Sequence, residues 1–387
     1  MIVVLADDFT GAAELAGIGL RYGLNVKLQT RCTTDTSVDL LAIDSDTRAL
    51  EAHTASRKLS AYAAAIETIP VDLLYKKTDS VWRGHIGLEI TTLMQELAYR
   101  RALLIPANPS SGRIIKDGAC FIHNTPLHLT DFANDPHFPV RGSRVREYLA
   151  SSHLPVSVCK ATDAIPQEGI VIGEASHFDD LLAWCPSVTS QTLAAGAAEF
   201  FAALLTHRGY SVIAHPDYHP TAEARTLFVN GSASSASRKF VATCRSAGVP
   251  VCTFPGELNA LFDNYEALLD RWVEATIHAF QSSRCVLAAI DKPLLTDTTI
   301  SAALTQCLAL LVERLLAERA ITEIFAEGGA TAAGIIKRMN WTSLAPVNEI
   351  APGTVRMRIE TNPLLHFTTK PGSYPWPQSV SAYIFNP

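Results

Sequence analysis

At 387 residues the chain exceeds what one hydrophobic core usually serves, so two domains are the starting expectation. Charged residues are 18% and hydrophobic ones 48%, the balance of a well-packed soluble enzyme. A formal net charge of −6 argues against a nucleic-acid or membrane-surface partner.

The chain opens on Ile2-Val3-Val4-Leu5, a short β-branched and apolar run that predicts a buried strand. Ala6-Asp7-Asp8-Phe9-Thr10-Gly11 follows, and a helical pattern starts at Ala12. In open parallel sheets ligands bind at the carboxyl ends of strands, and the free N–H groups of a helix start favour an anion there. Asp8 or Thr10 as a simple helix cap is the plainer alternative. A cap needs one carboxylate, however, and this turn carries two.

Strands are predicted at residues 26–30, 40–43, 73–77 and 102–105, with helices at 49–68 and 86–99. Strand and helix in alternation mark a parallel sheet with helices on its faces. From 106 to 139 Pro, Gly, Asn and Asp break the pattern, and a loop of that length in a compact domain is usually functional. Residues 143–150 look helical, 156–159 extended and 169–172 strand-like, and a helix at 193–205 closes the first domain. The expected domains are 1–206 and 226–387, joined by a linker at 207–225 that is rich in Pro, His and polar residues.

The second domain starts with a strand at 226–230, the turn Gly231-Ser232-Ala233-Ser234-Ser235 and a helix to about Ala247. Further strands are predicted at 286–290, 321–326, 355–359 and 365–369, with helices at 300–318 and 332–339. The fold class is therefore α/β, two domains each built on a mainly parallel sheet flanked by helices, with the active site in the cleft between them.

Eight cysteines are scattered from Cys32 to Cys307 without a C-x-x-C pair, which suggests reduced thiols in a cytoplasmic protein. The first residues lack the basic and long apolar segments of a secretion signal. No apolar run reaches the roughly 18 residues of a membrane span. The twelve histidines show no H-E-x-x-H spacing, so no metal ligands are assigned.

Three polar strand ends carry the candidate chemistry of the first domain. Lys76-Lys77-Thr78-Asp79-Ser80-Val81-Trp82-Arg83-Gly84 supplies Lys and Arg for a carboxylate or phosphate, and Asp and Ser for sugar hydroxyls. Asp44-Ser45-Asp46-Thr47-Arg48 adds Arg48. Together with Asp7-Asp8 they point to a small, hydroxylated, anionic ligand. In the second domain Gly231-Ser232 and Gly328-Gly329-Ala330-Thr331 each lie between a strand and a helix, where backbone N–H groups can approach phosphate oxygens. Pro352-Gly353 and Lys370-Pro371-Gly372 are further turns of that kind. No P-loop and no G-x-G-x-x-G follows a strand, which argues against an oxidoreductase. A sugar-acid site in one domain and a phosphate cradle in the other describe a kinase, with a carboxylate to take the hydroxyl proton. Asp8 is the first candidate for that base and Asp79 the second.

These pieces resemble the four-carbon acid sugar kinase family, once known only as a domain of unknown function. The resemblance rests on Ala6-Asp7-Asp8-Phe9-Thr10-Gly11-Ala12, Lys76-Lys77-Thr78-Asp79-Ser80 with Arg83-Gly84, and Ile105-Pro106-Ala107-Asn108-Pro109 with Gly112-Arg113. It continues through Asp117-Gly118, Asp135-Pro136, Gly231-Ser232, Gly328-Gly329-Ala330-Thr331 and Pro352-Gly353, spanning nearly the whole chain in the family's order. It implies ATP-dependent phosphorylation, with Mg²⁺, of the terminal hydroxyl of threonate, erythronate or 3-oxo-tetronate. It also implies substrate contacts from Asp8, Arg48, Lys77, Asp79, Ser80, Arg83 and Gly84. Nucleotide contacts fall to Ser232, Gly328, Gly329, Ala330, Thr331, Gly353 and Gly372, and a homodimer is the candidate assembly. Two departures stand out. Ala330 occupies the place of a family glutamate, and Pro371, which has no N–H to donate, that of a serine. They motivate a second expectation, a sugar-acid-binding or regulatory protein whose nucleotide site has weakened.

Overall fold

The computed structural model describes residues 1–31, 36–135, 138–213, 218, 224–232, 234–256, 265–291, 298–318, 321–372 and 374–385. Outside them lie Cys32, Pro136, residues 214–217 and 219–223 of the expected linker, Ala233 and Ser373. The chain forms two compact units, Met1–Ala214 and His215–Pro387.

In the first unit the strands are β1 (Ile2–Ala6), β2 (Val26–Gln29), β3 (Leu40–Asp44), β4 (Leu73–Lys77) and β5 (Arg101–Ile105). A small insert holds β6 (Arg113–Lys116), β7 (Ala119–Ile122) and β8 (Thr125–Pro126); β9 (Val156–Cys159), β10 (Gly169–Gly173) and β11 (Thr192–Gly196) complete the set. The helices are α1 (Phe9–Arg21), α2 (Ala52–Glu67), α3 (Ile86–Glu96), α4 (Phe178–Trp184) and α5 (Ala198–His207). The main sheet runs β2-β3-β1-β4-β11-β5-β10-β9, with every pairing parallel. Its central strands are buried on both faces, which is why they read as unbroken apolar runs rather than alternating ones. Val3 and Leu5 share a core with Leu59 and Tyr62 of α2 and Ile90 and Leu93 of α3. Tyr75 of β4 meets Phe200 and Phe201 of α5 at ring distances of 6.1 and 5.2 Å.

Three expectations for this unit change. The segment expected as one helix at 193–205 divides into β11 and α5, because Thr192-Leu193-Ala194-Ala195-Gly196 slots in parallel register between β4 and β5. Alanines that favour a helix locally are overridden by a vacant place in the sheet. The expected loop at 106–139 contains the three-stranded antiparallel sheet β6-β7-β8, and the expected helix at 143–150 is a tighter 3₁₀ turn at Val145–Leu149.

The second unit contains β12 (Thr226–Asn230), α6 (Ser235–Ser246), β13 (Val251–Thr253), α7 (Tyr265–Ser282), β14 (Cys285–Ala289) and α8 (Thr298–Glu318). It continues with β15 (Glu323–Glu327), α9 (Gly329–Arg338), β16 (Ser343–Ala351), β17 (Thr354–Ile359), β18 (Asn362–Lys370) and α10 (Gln378–Phe385). The strand order is β13-β14-β12-β15-β18-β17-β16, parallel as far as β18 and antiparallel from there. Sequence patterns missed β13, α7, β16 and α10. The core centres on Phe228 stacked on Phe325 at 4.6 Å, with Trp376 edge-on to both at 5.6 Å. By length and composition α8 is long and apolar enough to cross a membrane, contrary to the expectation from sequence, but it packs against α7 and α9 within this unit.

Leu5 is wholly buried at the centre of the first sheet. Leu5→Ala is expected to lower stability by about 2–5 kcal/mol, read as a reduced chemical-denaturation midpoint.

Candidate functional site

Ala6 pairs with Asp44 and Lys77, and Lys77 with Gly196, so the ends of β3, β1, β4 and β11 form one row. The polar residues that follow each strand are gathered at one edge by that register. Asp8 N-caps α1: its Oδ1 accepts the Gly11 N–H at 3.0 Å and its Oδ2 the Thr10 hydroxyl at 2.8 Å. The same Oδ2 accepts Arg48 Nη1 at 2.7 Å. Arg48 also grips Asp7 twice, donating from Nε at 2.7 Å and Nη2 at 3.0 Å. One guanidinium thus bridges both aspartates. Their surroundings differ, for the Asp7 side chain is 1% exposed and the Asp8 side chain 22%. Burial works against a charge on Asp7, yet Arg48 and Lys76 hold its carboxyl below the usual range.

After β4, Arg83 grips Asp79 from Nε at 3.0 Å and Nη2 at 2.9 Å, while the N–H groups of Val81 and Arg83 each donate to Asp79 Oδ2 at 3.2 Å. Burial opposes the Asp79 charge too, but Arg83 and Arg48 hold the carboxyl far below its ordinary value. Ser80 Oγ accepts Arg113 Nη1 at 2.5 Å. Arg83 lies 5.7 Å over the Phe132 ring, and its Nη1 reaches Asp135 at 3.4 Å. A Cβ on Gly84 would stand 3.2 Å from both Arg48 Cγ and Asp7 Oδ2. Lys77 Nζ donates to the Thr78 carbonyl at 3.1 Å and faces Glu14 at 3.4 Å. Burial would lower the Lys77 pKa, but Glu14 and Asp8 outweigh it and raise it. Asp8, Arg48, Lys77, Asp79, Ser80, Arg83 and Gly84 therefore come together as one cluster.

Other members of this cluster were visible in the sequence only through the family resemblance, as Arg113 and Asp135 were, or not at all, as Glu14 was. Asp135 and Arg113 arrive from the insert, and Glu14 from the second turn of α1. Glu89 is buried behind the site, paired with Lys76 Nζ at 2.8 Å. Its signal was present: Ile86, Glu89, Ile90 and Leu93 share one helical face, where a carboxylate is out of place. Asp44, at the end of β3, accepts the Asp46 N–H at 2.8 Å. Burial, then the charge of Asp46, pushes its carboxyl up to about 8.

In the second unit the turns after β12, β15 and β18 meet. Gly328 holds a φ of +98° at the head of α9 and donates its N–H to the Lys370 carbonyl at 3.1 Å. A side chain is strained in that conformation. A Cβ on Gly231 would lie 2.0 Å from Thr331 Oγ1, and one on Gly372 2.9 Å from Ser232 Oγ. The hydroxyls of Ser232 and Ser234 donate to the Gly372 carbonyl at 3.5 and 3.0 Å. Ser232, Gly328, Thr331 and Gly372 thus adjoin, with Gly329 and the exposed Ala330 opening α9. Gly353 sits further round, beside Tyr374 and Pro371. Helix-start N–H groups and hydroxyls of this kind suit phosphate oxygens.

Glu327 does not replace the carboxylate missing at Ala330. It is 1% exposed, accepts Trp376 Nε1 at 2.8 Å and pairs with Lys370 Nζ at 3.3 Å. Lys370 is equally enclosed, donating to the Tyr374 carbonyl at 2.6 Å. Burial lowers its pKa against the pull of Glu327. Among the described residues no three His, Cys, Asp or Glu side chains group as a metal site.

Residues 2–204 match the model of a sugar-binding N-terminal domain, and residues 227–374 that of a nucleotide-binding C-terminal domain. The chain is 28% identical to a D-threonate kinase of Salmonella typhimurium, covering 96% of this chain and 95% of the relative. It is 25% identical to a 3-oxo-tetronate kinase of Brucella melitensis, covering 93% and 90%. A D-erythronate kinase of Heliobacterium modesticaldum is 31% identical over 39% of this chain and 36% of its own length. A crystal structure from Salmonella typhimurium, provisionally described as a tRNA synthase, superposes with a TM-score of 0.79 at 20% identity, covering 100% of this chain and 98% of its own. A Haemophilus influenzae structure gives 0.72 at 18% identity, with 99% of each chain covered. At such identities the two structures establish the fold alone.

The Asp44 carboxyl sets a pH dependence. Its folded pKa of about 8 lies above the ordinary 3.8, so between these values the folded state holds a proton that the unfolded state has lost. Stability therefore falls as pH rises through that window. Asp44→Asn is expected to match wild type near pH 4 and to gain melting temperature over it up to about pH 8, checked by thermal unfolding across that range.

Proposed function

We propose, from the premise that the chain belongs to the four-carbon acid sugar kinase family, that it transfers the γ-phosphoryl group of ATP to the terminal hydroxyl of threonate, erythronate or 3-oxo-tetronate. The observation that carries this reading is the contrast between the candidate bases. Asp79 Oδ2 accepts Arg83 Nε and two backbone N–H groups, and Asp79 Oδ1 accepts Arg83 Nη2. The Asp79 side chain is 8% exposed, which leaves it one oxygen direction for a ligand hydroxyl and little room to act as the base. Asp8 has an accessible edge, and its orientation is fixed by Arg48, Thr10 and Gly11.

In this reading the substrate hydroxyl donates to Asp8. Its oxygen attacks the γ-phosphorus, the bond to the ADP oxygen breaks, and the hydroxyl proton passes to the Asp8 carboxylate and then to solvent. Arg48, with nitrogens committed to Asp7 and Asp8, orients the base. Lys77 and Arg83 then meet the substrate carboxylate, and Ser80 and Asp79 its hydroxyls. Ser232, Gly328, Gly329, Ala330, Thr331, Gly353 and Gly372 line the nucleotide phosphates through backbone N–H groups and hydroxyls. Mg²⁺ would neutralise phosphate charge. The residues described at the nucleotide turns do not fit it as protein ligands, since Glu327 is enclosed, and no step is assigned to it. The reaction requires the two half-sites to meet.

The exposed Ala330 and the enclosed Glu327 favour one other reading, a sugar-acid-binding protein with a weakened nucleotide site. Coupled ADP release with D-threonate, D-erythronate and 3-oxo-tetronate separates the two. Turnover with one of them is expected, whereas thermal stabilisation by a tetronate with none by Mg·ATP supports the binding protein. Asp8→Asn, which preserves a helix cap, is expected to lower kcat by about 10²–10⁴-fold with little change in melting temperature. Asp7→Asn is expected to lower melting temperature by more than Asp8→Asn does, because it disturbs a buried bidentate pair. Equal effects of the two substitutions on both measurements would overturn this division of roles.

A further inference from the structure

Lys76 and Glu89 form an ion pair whose side chains are 0% and 2% exposed, and neither belongs to the ligand-facing edge. Desolvating two charges costs about as much as their attraction returns, so net stability is a poor explanation for such a pair. Its contacts suggest another. The second Glu89 oxygen accepts the Thr47 hydroxyl at 2.5 Å. Thr47 Oγ1 lies 2.8 Å from Ser45 Oγ, whose single hydroxyl proton goes either to Thr47 or to the Ala6 carbonyl at 2.7 Å. Lys76 donates to the Lys77 carbonyl at 3.0 Å. The N–H groups of Thr47 and Arg48 both donate to the Asp7 carbonyl, at 3.0 and 3.1 Å. A single buried chain of contacts thus runs from α3 to the ends of β1, β3 and β4, the strands that carry Asp8, Arg48 and Lys77.

We propose that the Lys76–Glu89 pair positions the sugar-acid site: through Thr47 it fixes the loop that carries Arg48 against Asp7 and Asp8. The loop after β3 lacks regular structure where it must place a guanidinium on two carboxylates, a task that tolerates errors of about half an ångström. Thr47 Oγ1, with Ser45 Oγ, anchors that loop in the protein interior, and Thr47 is the one that reaches α3. A carboxylate holds it more tightly than a neutral acceptor does, and Lys76 supplies the counter-charge that lets a carboxylate sit there. Glu89, Lys76 and Thr47 are positioning residues. The identity of the ligand rests on the function proposed above, but the loop-fixing role does not.

Two variants test the role, Thr47→Val and the double variant Lys76→Met/Glu89→Leu, which replaces both charges with apolar groups of similar size. The double variant is expected to keep a melting temperature close to that of wild type, and Thr47→Val to lose a few degrees because it leaves a buried Glu89 oxygen without its donor. The Kd for D-threonate, measured by calorimetry, is expected to rise about tenfold in each, with Thr47→Ser restoring it. Deuterium exchange at the Thr47 and Arg48 amides is expected to accelerate in both variants. Wild-type Kd and wild-type exchange in both would overturn the proposal, leaving the pair a filler of the core. Should the double variant fail to fold, Thr47→Val decides by the same two readings. If wild type binds none of D-threonate, D-erythronate and 3-oxo-tetronate, the proposed function fails, and amide exchange at Thr47 and Arg48 still decides the loop-fixing role.

Discussion

The bridge from Arg48 to Asp7 and Asp8 is the interaction on which the N-terminal site depends. Adjacent carboxylates at the tip of a buried strand repel each other, and one of them would take up a proton without a shared cation. Arg48 removes that conflict with three nitrogens, two to Asp7 and one to Asp8. The result is an inner carboxylate that locks the guanidinium and an outer one that faces solvent. Asp8 caps a helix and presents an accessible oxygen edge at once, so the structural and chemical readings of that turn are compatible.

Much of this site was legible because parallel sheets write their sites into sequence in a regular way. Each apolar run ends in a polar cluster, and register brings those clusters to one edge without any need to know the tertiary contacts. Asp8, Arg48, Lys77 and Asp79 could therefore be named from three strand ends. Contacts that arrive sideways were legible only through the family resemblance, or not at all. Asp135 and Arg113 come from an antiparallel insert whose Pro, Gly and Asn content resembles a bare loop. Glu89 was visible only as a charge out of phase on an apolar helix face. The division of 193–205 into β11 and α5 depends on the empty place between β4 and β5, which no local pattern contains.

The C-terminal unit was less readable for a different reason. Its sheet changes character at β18, parallel toward β15 and antiparallel toward β17. An antiparallel strand can leave one face to solvent, so β16, nine residues long with two of them buried, lacks the apolar run that betrays a parallel strand. Its glycine turns were visible, but which charges face outward was not. Glu327 and Lys370 satisfy each other within a framework closed by Trp376. For the proposed phosphate site that leaves backbone and hydroxyl chemistry, which is indifferent to the side chain lost at Ala330 but loses one N–H donor at Pro371.

Paired charges also govern how an anionic sugar could be recognised in the N-terminal unit. The cations there already face carboxylates: Arg48 meets Asp7 and Asp8, Arg83 meets Asp79 and Asp135, and Lys77 meets Glu14. A pre-paired cluster exerts a weaker long-range pull on an anion than bare lysines and arginines would, so steering contributes less than fit. Binding then becomes an exchange of partners, in which a ligand carboxylate must do better than a protein one. The longest of the Arg83 contacts, 3.4 Å to Asp135, is the easiest to exchange, while the bidentate grip on Asp79 keeps the guanidinium plane fixed. Under the proposed function, a ligand without a carboxylate at that point offers no replacement for Asp135.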